Sequence, residues 1–184
     1  MNVRRPKLLK LLGLLISSLF IATVSAQVYN YMYIQGSGLA STATGLVWQL
    51  GSDLPSPGPT IVGYTVTNLN FSTGASPVNY TDCLRIVNQD GAESHQFNLG
   101  VKQSWGGWSD YSEFNLVVFN ATPPPLGAGV QQAVLDLSNS TAQTADMTIL
   151  TSDTWYILFE IVPIANPTAT KVYFEVELMY ESAA

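Results

Sequence analysis

Beyond its first 26 residues this sequence repeats with a period of two, and that rhythm leaves room for little except β-strands. Val172, Phe174, Val176 and Leu178 alternate with Lys171, Tyr173, Glu175 and Glu177, which predicts a strand with one buried and one wet face. Trp155, Ile157, Phe159 and Ile161 alternate with Tyr156, Leu158, Glu160 and Val162, so this strand is apolar on nearly both faces and should lie centrally in a sheet. Phe97, Leu99 and Val101 share one parity, as do Phe114, Leu116 and Val118. Shorter candidates fall near 45–50, 60–69, 84–88, 131–137 and 145–150. No stretch beyond the first 26 residues carries a helical period. About nine or ten strands separated by turns predict an all-β fold, a β-sandwich of jelly-roll type.

The turn residues agree with this reading. Asp90-Gly91 sits between a strand ending at Asn88 and one starting at Ser94, a spacing that predicts a hairpin. Pro55, Pro57 and Pro59 mark a loop, and Pro123-Pro124-Pro125 ends a strand because proline lacks the ladder donor.

The first 26 residues are of another kind. Arg4, Arg5, Lys7 and Lys10 form a positive end, an apolar run from Leu11 to Ala22 follows, and Val24-Ser25-Ala26 supplies small residues for cleavage. Residues 1–26 therefore read as a secretory signal. The run is shorter than the roughly 20 residues a membrane-spanning helix needs. Cleavage near Gln27 would leave three cations against thirteen acids, a formal charge of −10. Such a body has no footprint for nucleic acid and no basic patch for an anionic membrane. The expected product is secreted, at the cell surface or in an extracellular matrix. Four sequons, at Asn70, Asn79, Asn120 and Asn139, are candidate N-glycosylation sites where the host has the machinery.

Chemistry-bearing residues are sparse. One cysteine, Cys83, excludes an intrachain disulfide and a Cys-based metal cage, and reads as a small buried hydrophobe. One histidine, His95, cannot complete a blue-copper site, and no HExxH occurs. Ser94, His95 and Asp90 lie close in sequence, but successive residues alternate faces, so His95 reads as a surface residue. The acids Asp53, Asp90, Asp110, Asp146 and Asp153 could meet Ca²⁺ in loops but lack EF-hand spacing. No catalytic residue, metal or cofactor is expected. Trp105, Trp108 and Tyr111 cluster around Gly106-Gly107. They could stack on sugars or on a neighbouring subunit, or pack over the sandwich edge.

The most informative segment is Gln27-Val28-Tyr29-Asn30-Tyr31-Met32-Tyr33-Ile34, an uncharged run of strand formers placed directly after the leader. A small-residue linker, Gly36 to Gly45, follows it. A lone extended segment is unstable in water, and an uncharged aromatic one aggregates if left open. It can fold back as the first strand of its own sandwich, or enter the sheet of another copy. Strand addition repeated head to tail does not close into a ring and gives a filament.

This arrangement of leader, strand Val28–Ile34, linker and the segment Leu84 to Val101 resembles the TasA/camelysin-like filament subunits, in particular archaeal bundling-pilus subunits. The resemblance covers most of the chain after the leader and includes no sharp motif. It implies a secreted structural protein, a homopolymer of biofilm fibre or pilus type in which the strand of one copy completes the sheet of the next. Lateral bundling of the filaments is implied with it. On this view 27–36 is the donor segment, with Val28, Tyr29, Asn30, Tyr31, Met32, Tyr33 and Ile34 as donor residues, 37–45 is the linker and 46–184 the sandwich. No protease motif is present, so the activity for which camelysin is named does not carry over. A monomeric, secreted carbohydrate-binding or adhesive sandwich is the alternative. It expects the first strand in its own sheet and Trp105 and Trp108 on one platform. A hydrolase would need two acids across a cleft, which nothing in the sequence places.

Overall fold

The computed structural model describes residues 29–34, 45–71, 76–167 and 171–181. The leader, Val28 and the linker as far as Thr44 lie outside them. The strands are β1 (Tyr29–Ile34), β2 (Leu46–Leu50), β3 (Thr60–Val62), β4 (Thr65–Thr67), β5 (Val78–Asn88), β6 (His95–Gly106), β7 (Tyr111–Phe119), β8 (Gln131–Asp136), β9 (Met147–Ile149), β10 (Thr154–Pro163) and β11 (Val172–Glu181). A single 3-10 turn, Trp108–Asp110, lies between β6 and β7.

The strands form two sheets packed as an all-β sandwich. One has the order β3-β4-β1-β11-β6-β9 and the other β2-β5-β10-β7-β8. Pairing is antiparallel throughout except between β1 and β4. Alternation built the core. From the first sheet Phe97, Leu99, Val101, Val176, Leu178 and Tyr180 are buried, and from the second Leu84, Ile86, Leu116, Val118, Trp155, Ile157, Phe159 and Ile161. The Phe97 and Trp155 rings meet edge to face at 5.4 Å. β10, apolar on both faces, lies centrally between β5 and β7, as its sequence requires. Glu175 and Glu177 on the other face of β11 are half-buried rather than wet.

Three expectations are corrected. Asp90-Gly91 does not close a hairpin: β5 pairs with β2 and β10, while β6 pairs with β11 and β9 in the opposite sheet. The turn is an arch that carries the chain across the core. Buried Asn88 holds it, donating from Nδ2 to the Glu93 carbonyl at 2.8 Å and the Leu150 carbonyl at 3.0 Å. The Asn88 carbonyl oxygen accepts from the Asp90 N–H at 2.9 Å. Second, the single strand expected near 60–69 is two short strands, because Gly63 takes φ 60° and reverses the chain. Third, the strand expected at 84–88 starts at Val78. A break in register hides its beginning: Leu84 pairs with Ile157 but Tyr80 pairs with Phe159. Thr81, Asp82 and Cys83 bulge against a single residue of β10, and the loop after β2 docks there. Gly51 N–H donates to the Cys83 carbonyl and Asp53 N–H to the Asp82 carbonyl.

Candidate assembly site

β1 does not lie at a sheet edge. It fills an interior slot between β11 and β4. On the β11 side all six residues pair, from Tyr29 with Glu181 to Ile34 with Val176. Asn30, Met32 and Ile34 stand opposite Tyr180, Leu178 and Val176, the buried residues of β11. On the β4 side Tyr33 pairs with Thr65 and Ile34 with Val66, both buried partners. Without β1, β11 would lose its ladder from Val176 to Glu181. The β3–β4 hairpin would lose its hydrogen-bonded link to the sheet. A buried ladder left unpaired costs roughly 1–3 kcal/mol per group. The segment in the slot thus decides whether the first sheet is continuous.

The slot goes on past the end of β1. Beyond Ile34 a cavity of about 420 Å³ opens between Val66, Leu69 and Phe71 on one wall and Val172 and Phe174 on the other, with Phe114 behind them. Phe71, Phe114, Phe159 and Phe174 form an aromatic cluster there, with centroids 4.7–6.5 Å apart.

The tether can be measured against this geometry. Ile34 ends at the level of Val176, whereas a Cβ on Gly45 would sit 3.0 Å from the Tyr180 hydroxyl. Those levels lie about 13 Å apart along β11 at ~3.3 Å per residue. Ten residues, 35–44, join them, with an extended reach of about 35 Å. That length can double back within one chain or cross to a neighbouring one.

The other candidate residues fall elsewhere. Trp105 pairs across the strands with Tyr173, the rings 5.5 Å apart and nearly parallel, and it is 48 % exposed. Trp108 and Tyr111 pack inward on Phe114, at 5.5 and 5.4 Å. The two tryptophans therefore do not share one platform. Tyr173 is the aromatic partner that sequence spacing did not connect with Trp105. Asn70, Asn79, Asn120 and Asn139 are all exposed. Asn139 closes a local turn, its carbonyl oxygen accepting from the Thr141 N–H and hydroxyl.

His95 corrects a further expectation, since it is buried at 3 % exposure. It has the same parity as Phe97, Leu99 and Val101, so the alternation itself carried the signal. Its ring packs edge to face on Tyr180, with Nε2 3.7 Å from an Asp90 carboxylate oxygen. Ser94 is exposed. Cys83 is fully buried as expected, and burial, with the Asp53 and Asp82 charges, pushes its thiol up to about 12.

The loop acids have separate structural partners. Asp53 accepts from the Thr81 N–H at 2.7 Å, Asp90 from the Ala92 N–H at 2.8 Å, and Asp146 from the Asn98 amide at 2.8 Å. Among the described residues no three His, Cys, Asp or Glu side chains are grouped to hold a metal ion. No protein-family model matches the chain, and no curated protein matches it in sequence.

Proposed function

We propose that this protein is the structural subunit of an extracellular filament, secreted through its leader and polymerised head to tail by donor-strand complementation. The segment around β1 leaves its own sandwich and fills the slot between β11 and β4 of the next copy. One observation carries this reading: the strand nearest the leader is an interior strand of the sheet, joined to the body by a tether longer than the gap it spans. A terminal strand at an interior position can be exchanged between copies with every pairing kept. The register within one chain and between two is then the same, and only the path of residues 35–44 differs. Each subunit gives one strand and receives one, so the contact is heterologous and runs on as a fibre. Few cations and no grouped metal ligands fit a structural role better than a catalytic one.

Deleting residues 27–35 tests this. The secreted full-length protein forms filaments in negative stain, and the deletion variant remains soluble without them. Filaments that persist unchanged after the deletion overturn the proposal. The rival, a monomeric sugar-binding module, expected Trp105 and Trp108 side by side, and Trp108 instead faces the core.

A further inference from the structure

The second sheet ends on β8, and no described strand pairs with its outer side. Exposed edges invite pairing with another chain, and proteins blunt them with short strands, lysine, proline or bulges. The other three sheet ends are short: five residues in β2 and three each in β3 and β9. β8 has six, Gln131 to Asp136, with neither lysine nor proline and one charge at its far end. Its single irregularity, opposite Phe119, falls at its start.

The ladder fixes which backbone groups point outward. Leu137 N–H donates to the Phe114 carbonyl at 3.0 Å. Leu135 and Ala133 therefore turn their backbone groups toward β7, while Val134 and Asp136 turn theirs away. Val134 is also 46 % exposed.

We propose that two copies of this chain join through β8, antiparallel, on a two-fold axis at Val134. That register makes Val134 a hydrogen-bonded pair with itself and sets Gln132 opposite Asp136, so an amide meets a carboxylate at both ends. No like charges face each other, although the body is strongly acidic. The edge is thus complementary to its own copy, as an isologous contact requires. Joining it converts two five-stranded sheets into one of ten strands. A six-residue ladder buries less than the roughly 1,200 Å² of a standard stable complex, so single subunits associate weakly. β8 lies in the sheet that does not contain β1, so this contact stands apart from strand exchange.

The test uses the full secreted chain carrying Val134→Cys. Hydrogen-bonded antiparallel neighbours have Cα atoms about 5.5 Å apart, within the span a disulfide bridges. Buried Cys83 does not compete. Under mild oxidation V134C should give a disulfide-linked dimer on non-reducing gels at least about ten times faster than Leu150→Cys, a site 59 % exposed and off this edge. Adding Gln132→Asp sets carboxylates opposite each other and should slow the linkage about tenfold. Q132D with Asp136→Lys should restore it. Equal rates at positions 134 and 150, or no response to Q132D, overturn the proposal. So does a V134C chain that stays unlinked, as it would if the edge received a different segment. None of these readouts depends on whether filaments form.

Discussion

The Arg85 guanidinium holds the Asp82 carboxylate with both arms, Nε donating to Oδ1 at 2.9 Å and Nη2 to Oδ2 at 2.6 Å. The Ser52 N–H and hydroxyl donate to the same carboxylate at 2.9 and 2.8 Å. Asp82 is buried at the β5 bulge, so the network fastens the loop after β2 onto the sheet. Arg85 also lies over the Tyr156 ring, 5.1 Å from its centroid.

That network makes the protein acid-sensitive in a defined window. Burial alone would raise the Asp82 carboxyl, but the hydrogen bonds from Arg85 and Ser52 and the Arg85 charge hold it below the usual carboxylate range. The folded state therefore releases this proton at lower pH than the unfolded chain, whose Asp titrates near ~3.9. The stabilisation is complete above about pH 5 and is lost as pH falls through 4 toward the folded value. Denaturant melts should show an acid limb below pH 4 that Asp82→Asn flattens. Arg85→Ala should cost roughly 2 kcal/mol at neutral pH, moderated because the arginine is partly solvated.

Asn88 is the clasp of the arch between the sheets. Asn88→Ala removes two donors from buried carbonyls and one acceptor from the Asp90 N–H. The expected loss is about 2–4 kcal/mol, read from equilibrium unfolding. A loss under about 0.5 kcal/mol would mean that water replaces the side chain.

The two tryptophans should separate cleanly. Trp105→Ala removes an exposed ring stacked on Tyr173 and should cost under about 1 kcal/mol. Trp108→Ala opens the packing against Tyr111 and Phe114 and should cost about 2 kcal/mol or more. Thermal melts of the two variants compare them directly.

The long strands were legible because their side chains alternate without interruption. Val172 to Leu178 and Trp155 to Ile161 lie where their periodicity puts them, and Trp155 to Ile161 is central because it is apolar on both faces. Alternation failed at the β5 bulge, where Asp82 breaks the rhythm in order to be held by Arg85 and Ser52. It also could not say which sheet each strand joins. Asp-Gly between two strands is the same short signal in a hairpin and in an arch, and only Asn88, with its long-range bond to Leu150, decides between them. His95 was misplaced by giving its polarity more weight than its parity. The slot for β1 was foreseen as a need, since an uncharged aromatic strand must be covered. That it lies between β4 and β11 depends on pairings over a hundred residues apart, and no local pattern records those.

The account rests on a strand that passes from one copy to the next. Tyr33 stands opposite Glu177 in the ladder, so a Tyr33→Cys chain mixed with a Glu177→Cys chain before assembly and then oxidised can form this bridge only between molecules. The account predicts a covalent pair containing one chain of each kind, which appears as filaments form. If the mixture yields no such pair, while a chain carrying both cysteines closes the bridge within itself, each copy completes its own sheet and the account is wrong.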